Sequence, residues 1–76
     1  MNIDKIKELF IQKGEVHFKL YSLEYTIKKE NDEILVYADL YATRKQRYSS
    51  LDEALNYFTV YNESLIDNEN RIMSIE

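Results

Sequence analysis

The spacing of hydrophobic residues changes at Gly14, and this change divides the first half of the chain into a helix and a sheet. Before Gly14, apolar residues recur at helical spacing, which predicts a helix over residues 3–13. Asn2 or Asp4 can cap its start, and Gly14 is a natural end because glycine readily adopts the positive φ found after helices. The apolar stripe of this helix consists of Ile3, Ile6, Leu9 and Phe10.

From residue 15 to residue 41 the pattern alternates with a period of two, which is typical of half-buried strands. Two-residue turns fit at Tyr21-Ser22 and Asn31-Asp32, of which Tyr-Ser is the poorer turn pair. Pairing outward from both turns places the same middle-strand residues on one face, and a slip of one residue would destroy this agreement. We therefore predict a three-stranded antiparallel meander. Its core-face sets are Val16, Ile27 and Val36; Phe18, Tyr25 and Ala38; and Leu20, Leu23 and Leu40.

The opposite face of the meander is expected to mix charged and apolar side chains. Cross-strand charges support a solvated face, but Leu35, Tyr37 and Tyr41 make this one more apolar than solvation requires. The predicted sets are Glu15, Lys28 and Leu35; His17, Thr26 and Tyr37; and Lys19, Glu24 and Asp39.

The second half of the chain predicts a second helix and a less regular tail. The residues "RYSS" fit a short fourth strand, and Ser50 with Glu53 forms a capping box for a helix that runs to about Phe58. Residues 71–76 fit an edge strand or a last helical turn, of which we favour the strand. The predicted fold class is an α+β sandwich in which both helices cover one sheet face and the other face stays open.

Composition and charge narrow the possible functions. Residues 1–76 contain no proline and one glycine, so we expect a single domain. The net charge is −4, divided into +1 over residues 1–50 and −5 over residues 51–76, which argues against generic nucleic-acid binding. The chain has no cysteine and no apolar run long enough to span a bilayer, so we expect a cytoplasmic protein that does not enter the membrane.

Candidate catalytic residues are few. A Ser-His-Asp set would have to use His17, the only histidine, which the pattern places in mid-strand as a half-exposed residue. The carboxylate pairs at 32–33 and 52–53 fall in a turn and in the first turn of a helix, where acidic residues are common. One glycine cannot build a phosphate-binding loop. We expect no enzyme, no cofactor, no metal and no small-molecule substrate.

The run "YADLYATRKQRYSS", residues 37–50, combines basic and aromatic residues and carries the functional hypotheses. Such interleaving suits single-stranded nucleic acid, and equally a protein interface, where tyrosine and arginine are enriched. A third interpretation is a solvated loop whose arginines pair with the acidic last third of the chain.

The leading hypothesis is a small non-catalytic protein-interaction module that binds a host protein or a second copy of itself through the open sheet face. A phage-type inhibitor of a host enzyme is one version of it. The alternative is a nucleic-acid-binding module centred on residues 41–48. The residues assigned to the protein-binding surface are His17, Leu35, Tyr37, Tyr41, Arg44 and Arg47.

The segment "RYSSLDEALNYFTVYNESL" resembles small uncharacterised proteins of AT-rich Gram-positive bacteria and their phages. In those proteins a meander is followed by a short helix of the type S-x-DEAL, which here starts at Ser50. The resemblance covers about the second half of the chain and implies the same order of elements. It implies no particular activity.

Overall fold

The computed structural model describes residues 2–76, and within this range two α-helices and six β-strands follow one another along the chain. Short 3₁₀ turns at Asp39–Tyr41 and Glu69–Arg71 complete the regular structure. In chain order the helices and strands are α1 (Asn2–Lys13), β1 (Glu15–Leu20), β2 (Leu23–Glu30), β3 (Glu33–Ala38), β4 (Gln46–Tyr48), α2 (Leu51–Tyr57), β5 (Thr59–Val60) and β6 (Glu63–Ser64).

Strands β1 to β4 form one antiparallel sheet in sequence order, with the predicted meander at its centre. Both predicted turns are present, and all four of their central residues have positive φ, as a two-residue hairpin of the primed type requires. The predicted register is confirmed except at its last two pairs. Glu24 does not pair with Asp39, nor Leu23 with Leu40, because β3 ends at Ala38 and the chain turns away in a 3₁₀ conformation.

The predicted fourth strand and second helix are both confirmed. Strand β4 pairs with β3 and places Arg47 opposite Leu35. The side chain of Ser50 caps α2 by accepting a hydrogen bond of 3.1 Å from the backbone N–H of Glu53. The carboxylate of Glu53 reaches back to Ser49 rather than to the capping residue itself, accepting from both its N–H and its hydroxyl.

Both helices cover the same face of the sheet, as the sequence predicts. Apolar residues of α1, of α2 and of the inner sheet face belong to one buried cluster, which removes their surface from water and provides the main stabilisation of a domain this small. No helix within residues 2–76 is long and apolar enough to cross a membrane. The buried cluster comprises Ile3, Ile6, Val16, Phe18, Leu20, Tyr25, Ile27, Ile34, Val36, Ala54, Leu55, Leu65 and Ile72.

The segment after α2 forms a second small hairpin that the sequence did not predict. Strands β5 and β6 pair around a turn at Tyr61-Asn62, whose residues again have positive φ. The loop that follows buries Asn68, whose side-chain amide donates to three backbone carbonyl groups of the hairpin. This amide holds the hairpin against the rest of the domain.

The last residues lie along the outer edge of β1, where they form an isolated β-bridge between Lys19 and Met73 and not the regular edge strand that the sequence predicted. His17 exchanges two backbone hydrogen bonds of 2.8 Å with Glu76, and Lys19 exchanges bonds of 2.7 and 2.9 Å with Met73. Between these two pairs β1 has one residue, whereas the tail has two. The extra residue in the tail is a β-bulge. Ser74 provides it at a φ of 56°.

Candidate protein-binding groove

The outer face of the sheet lacks the apolar surface that the sequence predicted. Leu35 is only 2% exposed, so it does not offer a contact to a partner. The cause is the fourth strand, which makes β3 an interior strand and places Leu35 between Lys28 on β2 and Arg47 on β4. The aliphatic parts of such long side chains can cover an apolar neighbour.

His17 takes part in a chain of hydrogen bonds on the same face. Its Nδ1 lies 2.9 Å from Oγ1 of Thr26, and its Nε2 lies 2.6 Å from a carboxylate oxygen of Glu15. The buried Thr26 hydroxyl donates in turn to Asp39 over 2.6 Å. These contacts join Glu15, His17, Thr26 and Asp39 into one hydrogen-bonded chain on the sheet face.

Arg47 also lies on the outer face and is engaged there. Its guanidinium is 3.6 Å from the carboxylate of Glu33. The predicted pairing of this arginine with the acidic last third of the chain is therefore wrong, because the register of β4 places Arg47 at the turn end of β3 instead.

Three of the six predicted site residues meet at one end of the sheet, where they line a groove. The chain leaves β3 after Ala38 and folds back in the 3₁₀ turn, closed by a 2.8 Å hydrogen bond from the N–H of Arg44 to the carbonyl oxygen of Tyr41. This turn brings Tyr41 and Arg44 next to Tyr37. We call the cavity of about 320 Å³ beside them the tyrosine groove; it is lined by Tyr21, Leu23, Tyr25, Tyr37, Ala38, Tyr41, Arg44, Gln46, Phe58, Thr59, Val60 and Tyr61.

One wall of the tyrosine groove is built from the tips of two hairpins. Tyr21 and Tyr61 each occupy the first position of a two-residue turn, and their rings meet edge to face with centroids 4.9 Å apart. The hydroxyl of Tyr21 is fixed by donation to Asn68. Two turns that are distant in sequence therefore form a single rigid aromatic edge.

The base of the groove is a second aromatic group that belongs to the core. The ring of Tyr25 stacks on Phe18 with centroids 5.5 Å apart and meets Phe58 edge to face at 6.0 Å. Burial raises the pKa of the Tyr25 hydroxyl above its ordinary value, and the nearby Tyr61 adds to this shift. The base is therefore preformed and apolar.

Arg44 is the one charged side chain among the residues that line the groove, and no carboxylate lies there. Its guanidinium carbon stands 5.9 Å from the centroid of the Tyr41 ring, while Nζ of Lys45 stands 4.9 Å from that of Tyr37. Within residues 2–76, Arg44 forms no ion pair with a carboxylate. The groove thus combines aromatic walls with an available positive charge.

The sequence pattern found part of this site and missed the rest. Tyr37, Tyr41 and Arg44 are brought together, whereas Leu35, Arg47 and His17 lie outside the groove. The missed residues are contributed by the hairpin tips, the inner sheet face and the segment after α2. One signal was present in the sequence, since the pair Tyr61-Asn62 repeats the Tyr-polar character of the turn at Tyr21-Ser22.

No three histidine, aspartate or glutamate side chains within residues 2–76 gather closely enough to hold a metal ion. Comparisons with known proteins assign no family, because no family model, no curated protein and no solved structure matches this chain. The resemblance of its second half to proteins of Gram-positive bacteria and phages stays a prediction. Any functional conclusion therefore has to come from the groove itself.

Proposed function

We propose that this protein is a non-catalytic protein-interaction module that docks a partner protein in the tyrosine groove. The observation that carries the proposal is the convergence of five tyrosines, one phenylalanine and one arginine on a single concave surface. Tyrosine and arginine dominate the energetics of protein interfaces, where they bury a large area and still offer hydrogen bonds.

The groove is preorganised for binding. Tyr21 is held by Tyr61 and Asn68, and Tyr25 is held by Phe18 and Phe58. Rings that are already fixed lose little conformational entropy when a partner binds, which leaves more of the contact energy for affinity. At the rim, Tyr41 and Tyr61 remain 50% and 76% exposed, so apolar surface is available to be buried.

The alternative, a nucleic-acid-binding module centred on residues 41–48, has weaker support. Bases bind by stacking on open aromatic faces. Here Arg44 lies over the face of Tyr41 and Lys45 over that of Tyr37. A base that stacked on either ring would have to displace the cation, although the phosphate of the same nucleotide needs that cation as a partner. The net charge of −4 adds a general repulsion.

Site-specific photocrosslinking tests the proposal. A photoreactive phenylalanine analogue replaces Tyr61 at the groove rim, and in a control protein it replaces Ile11, which is 81% exposed on α1. Both proteins are irradiated in lysate of the source cells, with and without nuclease treatment. We expect a discrete protein adduct at position 61 that is absent at position 11.

Competition then decides whether the adduct depends on the groove. Excess unlabelled protein should suppress the adduct, whereas an excess of the Tyr41→Ser variant should not, because it lacks one aromatic wall. Equal suppression by both proteins, or adducts at both labelled positions, would show that the groove is not the docking site. Adducts that disappear on nuclease treatment would favour the nucleic-acid alternative.

A further inference from the structure

We infer that the occupant of the tyrosine groove is an extended, proline-rich segment of a partner protein that carries an acidic residue beside its prolines. This inference rests on the proposed function and adds the chemical class of the ligand. It follows from the aromatic lining, the short strand edge, the single positive charge and the composition of residues 1–76.

The aromatic lining favours proline rings. Tyr21 and Tyr61 form one wall of the groove and Tyr25 with Phe58 forms its base, so the cavity presents aromatic surfaces that neither Arg44 nor Lys45 covers. Proline-rich segments dock in aromatic-lined grooves because their polyproline II helix is preformed and loses little entropy on binding. A volume of about 320 Å³ accommodates a few side chains rather than the long anchor row of a helix.

The groove offers only one short strand edge, that of β5. Thr59 is the single outward-directed residue of this two-residue strand and lines the groove, so it can offer a partner one pair of backbone groups but not a ladder. Along an antiparallel strand, the backbone groups of successive residues point alternately to the neighbours on either side. Those of Leu35 bond to β2 and not to β4. The backbone groups of Arg47, which lies opposite Leu35 on β4, therefore point away from the sheet. The same alternation directs His17 and Lys19 outward on β1, where they bond to the tail. Arg47 is thus the outward-facing residue of β4, and it does not line the groove.

Side chains must therefore satisfy most of the backbone of the ligand. The groove supplies tyrosine hydroxyls, the amide of Gln46 and the guanidinium of Arg44, all of which can donate. A polyproline II segment suits these donors, because it makes no internal hydrogen bonds and its carbonyl groups are free to accept. A longer β-strand would find one backbone partner at Thr59 and otherwise only side-chain partners.

The charge of the groove selects an acidic neighbour. Arg44 is exposed, belongs to the lining and has no carboxylate partner within the described part of the chain, while the lining itself holds no acid. A carboxylate next to the prolines can form the charge-assisted pair that arginine favours. A lysine at the same place would be repelled.

Residues 1–76 contain no proline, so these residues of a second copy cannot supply such a segment. We assign the occupant to a different protein, and self-association through residues 1–76 is an outcome that would count against the inference.

The test is a titration of the ¹⁵N-labelled protein with three synthetic peptides, followed by NMR. One peptide is proline-rich with a glutamate at each end, the second has lysines in place of the glutamates, and the third has serines in place of the prolines. We expect the glutamate peptide to shift the amide resonances of Tyr37, Tyr41 and Tyr61. The lysine peptide should bind about fivefold more weakly, as expected for an exposed ion pair, and the serine peptide should cause no shifts at the same concentration.

Two matched variants assign the charge preference to one residue. Arg44→Gln should bind the glutamate and lysine peptides equally while the proline contacts persist. Arg47→Gln, which alters an exposed arginine on the other sheet face, should keep the preference of the unaltered protein. An unchanged preference in Arg44→Gln would overturn the assignment of the acidic contact.

The remaining outcomes separate this inference from the proposed function. If no peptide binds but the crosslink at position 61 still depends on the groove, the module binds protein and the proline-rich ligand is wrong. If both experiments fail, both proposals are wrong. Groove shifts caused by an oligothymidylate probe instead of the peptides, weakening steeply with salt, would identify a nucleic-acid site.

Discussion

The hydroxyl of Tyr21 donates a hydrogen bond of 2.9 Å to Oδ1 of Asn68 and so joins the first hairpin turn to a loop 47 residues later in the sequence. Asn68 is fully buried. Its amide nitrogen donates to the carbonyl groups of Val60, Glu63 and Ser64 at 3.4, 3.2 and 3.0 Å. One side chain thus binds three backbone carbonyl groups of the second hairpin and positions the aromatic edge of the groove.

Replacing this amide is expected to destabilise the protein strongly. Asn68→Ala removes the donor from three carbonyl groups and leaves a void, which should lower the free energy of unfolding by about 3 kcal/mol. Asn70→Ala, an exposed asparagine in the same loop, is the matched control and should change it by less than about 0.5 kcal/mol. Urea unfolding measures both, and similar midpoints for the two variants would contradict the role assigned to Asn68.

The two hairpin turns of the meander are expected to respond differently to glycine. Ser22 and Asp32 hold equivalent positions, each with a φ of 68°, and neither side chain forms a hydrogen bond within the described residues. Aspartate tolerates this left-handed conformation better than serine does. Ser22→Gly should therefore raise the free energy of unfolding by about 0.5–1 kcal/mol.

Asp32→Gly should raise the free energy of unfolding by less than Ser22→Gly does. The measurement is a comparison of the urea midpoints of the two variants. A larger gain at position 32, or a loss at position 22, would show that side-chain strain in the Tyr-Ser turn is relieved elsewhere. Tyr21-Ser22 is the poorer turn pair of the two, because tyrosine and serine tolerate a positive φ less readily than asparagine and aspartate.

The hydrogen-bond chain on the outer sheet face predicts a cost for removing one hydroxyl. Thr26→Val preserves the shape and the β-branched preference for strands but removes the group that joins His17 to Asp39. We expect a loss of about 1–2 kcal/mol in the free energy of unfolding. Thr59→Val, at an exposed strand position, should be close to neutral, and equal costs for both would mean that the chain contributes no stability.

The sequence predicted the meander, both helices and their common sheet face because each depends on a local period. The register followed from two turns that constrain the same strand, so a wrong choice would have broken the pattern on both sides. The exposure of Leu35 was mispredicted because it depends on β4, a strand too short to show a period of its own. A short strand is set by its partners, which a single sequence does not reveal.

The groove was only half predictable for a related reason. Tyr37, Tyr41 and Arg44 lie close together in the sequence, so their proximity could be anticipated. Tyr61 reaches them through a hairpin whose strands are two residues each and whose position depends on the buried amide of Asn68. Such tertiary hydrogen bonds carry no periodic signal, although they decide where an aromatic side chain comes to lie.

Buried tyrosines predict a loss of stability in alkaline solution. Burial raises the pKa of Tyr25 and of Tyr48 above the ordinary value of 10.0, with smaller contributions from Tyr61 and Glu53 respectively. In the unfolded chain these hydroxyls ionise first, so above about pH 10 the unfolded state binds fewer protons than the folded state. The free energy of unfolding should therefore be independent of these groups below that pH and should fall as the pH rises through their folded-state pKa values.

Urea midpoints measured from about pH 8 to about pH 11 test this sign, since the interval brackets the ordinary tyrosine pKa. The double variant Tyr25→Phe and Tyr48→Phe retains both rings but cannot ionise there, so its midpoint should fall less steeply than that of the unaltered protein. Tyr57→Phe, which changes an exposed tyrosine, is the control and should follow the unaltered profile. Lysines also lose their charge above about pH 10 and can lower stability there. If the urea midpoints of the double variant and the control fall equally above that pH, the hydroxyls of Tyr25 and Tyr48 are not the cause of alkaline unfolding.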